Sequence, residues 1–324
     1  MNSICLIIPY FGPFPNYFQL WLESVRKNPD IDFCIITDQK LQIDIPDNVT
    51  IVETTFNELR ERIQELYDFK ISLKKPYKIC DFRPAYGEIF NNIIDKYDFW
   101  GYCDVDLIFG NIKEFITDAV LNEYERINLH GHLSIYKNSE KMNTLYKKEY
   151  SNIMDYKLAF STNQSCHFDE YPGISVICKY EKVKCVDIEE YADIDRFSYK
   201  FKKIYDHSQK KNDEDSIIQI FKWDNGKLTN ILKRDEKICE NEIMYVHLQK
   251  RHMENRIQKD IDSFFIVPNI FLDDKEDTVL QRIDEYAVDK KNGEKRKFVL
   301  GCFKQKFQID YWKVKWNMRK RVKG

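Results

Sequence analysis

The sequence predicts an α/β fold, with short buried strands in one sheet and helices on both faces of that sheet. Two features of the 324 residues lead to this prediction. Short apolar runs recur between stretches of helical spacing, and the runs are continuously apolar, as in parallel strands that are covered on both faces. Hydrophobic residues make up 43% of the chain, which provides a sizeable core and excludes a disordered protein.

The first predicted strands run into loops that could bind a ligand. In chain order, strands are predicted at 4–8, 33–36 and 49–52, and helices at 17–25 and 56–67. The first strand leads to Pro9, Tyr10 and Phe11, and the second strand leads to Thr37 and Asp38. Because ligands bind beyond the carboxyl ends of the strands in such sheets, we expect these five residues to line one crevice.

The later part of the chain is predicted to add strands, a helix and an irregular insertion. These are a strand at 99–103, a loop entering a strand at 172–178, a helix from 213 to 221, a strand at 242–248, and a polar insertion near the site at 120–170. We predict a main domain over residues 1–255. A helical C-terminal extension with a basic, aromatic tail is predicted over residues 256–324.

Asp104 and Asp106 are the strongest candidates for chemistry. They follow the apolar strand 99–103, and residues i and i+2 of a strand point the same way, so their carboxylates converge beyond its end. Mg²⁺ and Mn²⁺ are often bound by such carboxylates together with substrate phosphates. A surface turn with two acids is the alternative. Apolar sequence on both sides makes unpaired carboxylates costly, which favours a metal site.

His247 is the second candidate, and it ends a late strand just before Lys250 and Arg251. An imidazole can complete a metal shell, and the two cations can hold phosphate oxygens while a leaving group gains charge. A half-buried structural histidine on a charged loop is the alternative. Beside the aspartate pair, we interpret His247 as a metal ligand.

Two further groups have roles that stay open. Asp213, Glu214 and Asp215 form either an acidic helix start or a set of catalytic carboxylates. Arg83 is either a core-facing ion pair or a contact to a donor sugar, and the same two roles are open for Asp81.

The charge of the chain is unevenly distributed. Residues 291–323 contain twelve Lys or Arg against Glu294 and Asp310, a net charge of +10, which leaves −12 for the rest of a chain whose total is −2. A nucleic-acid binder would carry its basic surface on the folded domain, so no nucleic acid is expected as a partner. The tail also places aromatic residues at helical spacing, namely Phe303, Phe307, Tyr311, Trp312 and Trp316. It is therefore either an interfacial helix at a membrane surface, through residues 298–323, or a helix docked on the acidic body.

The cysteines and the hydropathy indicate a compartment. The nine cysteines include no Cys-x-x-Cys pair, which is typical of reduced thiols. The chain starts directly with a strand and contains no run of about 20 apolar residues. We expect a cytoplasmic protein that is peripheral at the inner face of the cell membrane if the tail binds there.

Taken in order, these motifs resemble the GT-A glycosyltransferases, most closely the bacterial capsule and lipopolysaccharide transferases and the glycogenin-like group. The resemblance covers residues 3–255 as short motifs. Residues 102–106 resemble the metal-binding Asp-x-Asp strand end of that class, and His247 to Lys250 resembles its late His–Lys element, without the glycine of that element. The resemblance implies a GT-A-type mixed sheet, and Mn²⁺ or Mg²⁺ held by Asp104, Asp106 and His247.

The resemblance also implies a donor site and catalytic residues. The donor contacts that it implies are Pro9, Tyr10, Phe11, Thr37, Asp38, Asp81, Arg83, Tyr86, Asp104 and Lys250. Asp213, Glu214 and Asp215 resemble the acidic helix start beside the anomeric carbon, which implies a catalytic role for them.

The activity that follows from the resemblance is metal-dependent hexosyl transfer. The sugar would move from a nucleoside-diphosphate sugar, most commonly a UDP-sugar, to a glycan or lipid-linked saccharide in surface polysaccharide biosynthesis, with retention favoured over inversion. Two alternatives remain: a metal-dependent nucleotidyl or phosphoryl transferase, and a non-catalytic assembly factor that binds glycan or membrane. With only 10 glycines and no Walker-type loop, the sequence disfavours an NTPase.

Overall fold

A computed structural model describes residues 1–151, 153–202, 217–258 and 261–287. The strands are β1 (Ile4–Pro9), β2 (Ile31–Thr37), β3 (Val49–Glu53), β4 (Phe99–Cys103), β5 (Leu107–Phe109), β6 (Arg126–His130), β7 (Leu133–Lys137), β8 (Cys185–Val186), β9 (Tyr191–Asp193), β10 (Ile217–Asp224), β11 (Lys227–Arg234), β12 (Lys237–Glu242), β13 (Tyr245–His247), β14 (Glu254–Asn255), β15 (Ser263–Val267) and β16 (Ile270–Leu272). The α-helices are α1 (Phe18–Arg26), α2 (Phe56–Glu65), α3 (Tyr86–Ile89), α4 (Asn91–Ile94), α5 (Ile112–Phe115), α6 (Asp118–Glu123), α7 (Glu140–Thr144), α8 (Tyr156–Ser161), α9 (Ile174–Tyr180) and α10 (Glu276–Gln281). Short 3₁₀ helices occur at Pro76–Ala85, Leu145–Lys147 and Ile283–Ala287.

The main sheet combines parallel and antiparallel strands. Over the described residues its order is β3-β2-β1-β4-β7-β6-β8. Strands β3, β2, β1 and β4 are parallel, whereas β7 is antiparallel to both β4 and β6. The chain winds outward from β1 to β3 and then places β4 on the other side of β1. The carboxyl ends of β1 and β4 therefore open the crevice where such sheets bind ligands. The predicted α/β class, a mixed sheet flanked by helices, is confirmed.

Two apolar cores cover the two faces of the main sheet, and successive residues of β1 divide between them. Leu6 packs in the core that contains Trp21 of α1. Cys5 and Ile7 pack in the core that contains Leu59 of α2 and the 3₁₀ helix at 76–85. This alternation is the consequence of a strand buried on both faces.

Two smaller sheets extend from the main one. Their orders within the described residues are β12-β11-β10-β15-β16-β14 and β5-β13-β9. Strand β5 follows β4 after the turn at 104–106, so the three-stranded sheet begins where the main sheet ends. Trp223 of β10 is fully buried, and its indole N–H donates to the carbonyl of Phe109 in β5 (2.8 Å). The two smaller sheets are thus joined, and β13 and β9 are held beside the carboxyl edge of the main sheet.

Two predicted elements have the opposite secondary structure. Residues 172–178 were predicted to enter a strand, but they lead into α9, in which Ile174, Ile177 and Cys178 are buried at helical spacing. The helix predicted at 213–221 is wrong for its described part, because residues 217–221 belong to β10. There, pairing with β11 and β15 outweighs the local sequence preference.

Two larger regions also differ from the prediction. Residues 126–137, inside the predicted irregular insertion, form β6 and β7, which continue the main sheet beyond β4 and cover its edge. Residues 263–272 form β15 and β16, so the helical interpretation of 256–324 is wrong there. The basic tail from residue 288 lies outside the described residues, as does the predicted membrane contact. The division of the chain at residue 255 stays a prediction.

Within the described ranges, no helix has both the length and the apolar character that crossing a lipid bilayer requires. Each cysteine in the same ranges is a free thiol.

Candidate active site

Asp104 and Asp106 lie in the turn between β4 and β5, at the carboxyl edge of the main sheet. Both strands are buried along their whole length, which fixes the turn from both sides. The backbone N–H of Asp104 donates to the carbonyl of His132 (2.9 Å), and the carbonyl of Asp106 accepts from the N–H of Leu248 (2.9 Å). The turn is thus held between two neighbouring segments, with both carboxylates at the edge of the sheet.

His247 meets the aspartates because β13 is antiparallel to β5, with His247 opposite Leu107. Its Nε2 atom lies 3.4 Å from Asp106 Oδ1 and 3.9 Å from Asp104 Oδ2. One ligand atom from each of the three residues lies within 4.8 Å of the others. The structure therefore brings together the three residues that the sequence predicted as metal ligands.

The environment of Asp106 fits a metal ligand. Its Oδ2 accepts the backbone N–H of Lys250 (2.6 Å), whereas its buried Oδ1 makes no hydrogen bond to any described residue. Burial opposes ionisation, but His247 and Lys250 outweigh it and lower the pKa of Asp106 to about 2. Burial likewise opposes protonation of His247, yet Asp106 and Asp193 raise its pKa to about 10. An ionised carboxylate with an oxygen free of hydrogen bonds, a second carboxylate, and an imidazole whose Nε2 proton a metal would displace form a donor set for a divalent cation such as Mn²⁺ or Mg²⁺.

Arg83 ties Asp104 to a third acid. One guanidinium nitrogen, Nη2, donates to Asp104 Oδ1. The other, Nη1, donates to Asp169 Oδ2 (3.1 Å) and to the carbonyl of Gly131. The guanidinium also lies 4.9 Å from the ring centre of Tyr102. Asp104 therefore shares a cation with Asp169, while Asp106 has its main cationic neighbour in His247.

A cavity of about 290 Å³ opens beside the aspartates, between the ends of β1 and β4. The loop after β1, with Pro9, Tyr10 and Phe11, forms one wall. The 3₁₀ helix at 76–85 and Tyr86 form the opposite wall, and Asp104, Asp106 and Lys250 border the polar end. A largely apolar cleft with a few charged groups at one end is the usual form of a small-molecule site.

Lys250 reaches this cavity through an unusual backbone turn. Gln249 and Lys250 both adopt left-handed φ values, +54° and +56°. Such conformations are uncommon for residues with a Cβ atom and often occur at functional sites. They place the Lys250 N–H on Asp106 and its Nζ 4.2 Å from the ring centre of Tyr77.

Arg251, the neighbouring cation, does not border the cavity. Its guanidinium donates to the carbonyls of Asp195, Ser198 and Tyr199 and to Asn269 Oδ1. Arg251 is buried and fixes the segment 195–199, so the structure gives no support to its interpretation as a phosphate contact.

Three predicted donor contacts lie away from the cavity. Thr37 is buried, and its carbonyl accepts the N–H of Thr54 (3.0 Å). Asp38 is exposed and accepts a bond from Gln39 (2.7 Å). Thr37 ends β2 and Asp38 follows it, and β2 is separated by β1 from the crevice between β1 and β4.

Asp81 is the third predicted donor contact that lies away from the cavity. It lies on the 3₁₀ helix that forms the cavity wall, but its side chain faces residues 166–168 behind that wall. Its carboxylate accepts Lys78 Nζ (2.6 Å) and the backbone N–H groups of Cys166 (2.9 Å) and Phe168 (3.0 Å). These bonds use both oxygens, so of the two roles considered for Asp81 the structure supports the core ion pair.

Asp213, Glu214 and Asp215 lie outside the described residues, and their catalytic role stays a prediction.

Sequence reasoning missed two acids at the site. Asp169 shares Arg83 with Asp104, and Asp193 lies 2.8 Å from His247 Nδ1. Asp169 precedes α9, at the end of the segment 120–170 that was predicted as an irregular insertion. Asp193 ends β9, a three-residue strand too short to stand out. Their one sequence signal, an acid at the end of a short element, is too common to single out a site.

The model of a family of unknown function, DUF6625, matches residues 6–275 of the chain. Among solved structures, the galactosyltransferase LgtC in complex with donor and acceptor sugar analogues is similar at 9% identity and a TM-score of 0.34, over 58% of this chain and 75% of that one. The glycosyltransferase GlyE of Streptococcus pneumoniae TIGR4 is similar in its apo form at 14% identity and a TM-score of 0.27, over 57% of this chain and 45% of GlyE. A second GlyE structure is similar at 12% identity and a TM-score of 0.28, over 58% of this chain and 45% of GlyE. This chain thus spans under half the length of GlyE. No curated protein sequence matches the chain.

Proposed function

This chain belongs to the family of unknown function DUF6625, and we propose that it is a metal-assisted glycosyltransferase that takes its sugar from a nucleoside-diphosphate sugar. The observation that supports this most is the convergence of Asp104, Asp106 and His247 at the polar end of a cavity lined by Tyr10 and Phe11. The cavity offers rings and apolar surface for a base, and the metal ligands lie where a diphosphate would follow.

We propose these roles for the residues of the chain. Asp104, Asp106 and His247 hold Mn²⁺ or Mg²⁺, which when bound would neutralise the charge that develops on the departing diphosphate. Lys250 donates to the diphosphate from the rim of the cavity. Tyr10 and Phe11 pack against the nucleobase, with uridine as the proposed base.

The sugar would lie near Arg83 and Asp169. Arg83 borders the cavity and has an ion pair on each side, to Asp104 and to Asp169. A guanidinium and a carboxylate held side by side can donate to and accept from neighbouring sugar hydroxyls. Preorganised groups of this kind accelerate transfer only to the extent that they bind the charge-separated state more tightly than the ground state.

The finer assignments rest on the motif resemblance alone. These are a glycan or lipid-linked saccharide as acceptor, a place in surface polysaccharide biosynthesis, retention at the anomeric carbon, and contact with the inner membrane surface through the tail.

The first test is thermal stability with a panel of nucleoside diphosphates, each with and without Mn²⁺. Wild type is compared with Asp106→Ala and with a control, Asp30→Ala, which removes an exposed carboxylate just before β2 at the opposite edge of the sheet. A ligand at 100 times its Kd stabilises a protein by about 2.7 kcal/mol. We expect a metal-dependent rise in Tm with UDP in wild type and in the control, and none in Asp106→Ala. No rise with any nucleotide would contradict a donor site.

Product analysis then tests the reaction. Incubation with UDP-sugars, Mn²⁺ and a saccharide acceptor should release UDP as the sugar passes to an acceptor hydroxyl, or to water where no acceptor is added. Release of UMP with transfer of a sugar phosphate, or of sugar 1-phosphate with transfer of UMP, would replace glycosyl transfer with phosphoryl or nucleotidyl transfer, which can use the same aspartate pair.

A further inference from the structure

The ring of His247 is buried and has a different acid at each nitrogen. Its side chain is 8% exposed, with Nε2 towards Asp106 and Nδ1 2.8 Å from Asp193 Oδ1. A neutral imidazole binds a metal through one nitrogen and keeps its proton on the other. The group that accepts the proton at Nδ1 therefore decides whether Nε2 is free to face Asp104 and Asp106.

The three-stranded sheet places Asp193 beside Nδ1 of His247. Strand β9 pairs with β13 in register, so that Asp193 is opposite His247, while β5 pairs on the other side of β13. The three-stranded sheet thus carries an acid of β9 on the far side of the ring from Asp106, which directly precedes β5.

Asp193 is itself held in place. Gln249 donates from its side-chain amide to Asp193 Oδ1 (2.6 Å), the same oxygen that lies beside His247 Nδ1. Gln249 is the first of the two residues with left-handed φ, so the turn that brings Lys250 to Asp106 also brings this amide to Asp193. The His132 ring, whose centre is 4.7 Å from that of His247, packs beside the imidazole and limits its movement.

We propose that Asp193 is a positioning residue that fixes the Nδ1–H tautomer and the orientation of His247, so that Nε2 is available to the metal. This inference rests on the proposed function. Asp193 also lies at ligand distance from His132 and His247, but its Oδ1 meets an amide donor and His247 Nδ1, on the side of the ring away from Asp104 and Asp106. We therefore assign Asp193 to the ring and not to the metal at Asp104 and Asp106. Outer-shell carboxylates of this kind typically change metal affinity by about 10–100-fold.

The test measures Mn²⁺ binding in the presence of UDP, by electron paramagnetic resonance of the free ion, in the full-length protein. Asp193→Asn keeps the size of the side chain but removes its charge and replaces one of its two acceptor oxygens with an NH₂ donor. The matched control is Asp187→Asn, since Asp187 lies 2.8 Å from His130 Nε2 in a similar pair that does not touch His247. Asp106→Asn reports on the metal site itself.

A second variant, Gln249→Asn, tests the same contact if Asp193→Asn does not fold. Gln249→Asn is too short to reach Asp193, and asparagine tolerates a left-handed backbone. We expect Mn²⁺ affinity about 10–100-fold lower in Asp193→Asn, a smaller loss in Gln249→Asn, and wild-type affinity in Asp187→Asn. In protein labelled with ¹⁵N-histidine, the His247 Nδ1–H signal, assigned with His247→Gln, should shift in Asp193→Asn but not in Asp187→Asn.

The outcomes separate the two proposals. Wild-type affinity and an unchanged His247 signal in Asp193→Asn, with binding lost in Asp106→Asn, would overturn the positioning role and leave the metal site standing. An equal loss in Asp193→Asn and Asp187→Asn would overturn the positioning role in favour of a general structural effect. Failure of the wild type to bind Mn²⁺ would overturn both.

Discussion

Asp81 and Asp106 are both almost fully buried, at 1% and 2% exposure. Asp106 lines the cavity, and Asp81 follows Cys80, which also lines it. Their oxygens are used differently. Asp81 accepts a lysine and two backbone N–H groups, so both of its oxygens are satisfied. Asp106 accepts one backbone N–H and keeps a buried oxygen without a hydrogen bond to any described residue.

We interpret the difference between them as that between a structural acid and a metal ligand. A buried carboxylate whose hydrogen bonds are all made ties chain segments together, and here Asp81 joins the 3₁₀ helix to residues 166–168. A buried carboxylate that is ionised but only half satisfied is costly unless another group completes it. We interpret the free oxygen of Asp106 as reserved for a cation.

The largest expected effect is the loss of stability when Asp81 is replaced. Asp81→Asn turns an amide NH₂ towards donors that now bind an oxygen, and it leaves Lys78 buried without its carboxylate. Removing one partner of a buried ion pair costs about 3–5 kcal/mol, so the free energy of unfolding in urea should fall by that amount. The double variant Lys78→Met/Asp81→Asn should recover part of the loss. A single variant as stable as wild type would show that the pair does not support the fold.

The next effect should fall mainly on activity. Asp106→Asn removes a ligand charge, so Mn²⁺-dependent turnover should drop about 10²–10³-fold, the size seen when one electrostatic contact to a developing charge is lost. The unfolding free energy of the metal-free protein should fall by less than in Asp81→Asn, because an amide oxygen at this position can still accept the Lys250 N–H and His247 keeps Asp193 as an acid partner. A loss of stability as large as that of Asp81→Asn would mean that Asp106 is a second structural acid.

The smallest effect concerns Asp187, a half-exposed acid near the same edge. Burial lowers the pKa of His130, but the bond to Asp187 outweighs this, and the pKa is raised above its usual value. A raised histidine pKa adds stability that is fully present below about pH 6.5, the unfolded value, and is lost as pH rises through the folded value. NMR titration should place the His130 pKa higher in wild type than in Asp187→Asn.

The difference in unfolding free energy between wild type and Asp187→Asn should likewise be larger at pH 6 than at pH 8. The first pH lies below the unfolded histidine pKa of about 6.5 and the second lies above it. Equal His130 titration in both proteins would mean that this exposed pair is too well solvated to act on either group.

Local sequence was enough to place most of the chemistry at the edge of a sheet. The apolar strand 99–103 ends at two acids with i, i+2 spacing, and the apolar run 4–8 ends at an aromatic loop, so both features follow from neighbours in the chain. Prediction failed where distant pairing decides the structure. Residues 217–221 became a strand through β11 and β15, and residues 126–137 joined the main sheet through β4.

The sequence by itself determined the α/β class, the buried strands and the positions of Asp104, Asp106 and His247 at strand ends, because periodicity and burial are set within a few residues. Only the tertiary structure decided which acids are satisfied and which are free. Lys250 reaches Asp106 across 144 residues, and Cys166 reaches Asp81 across 85. Whether a buried charge serves the fold or a ligand depends on such distant partners, which local sequence patterns do not encode.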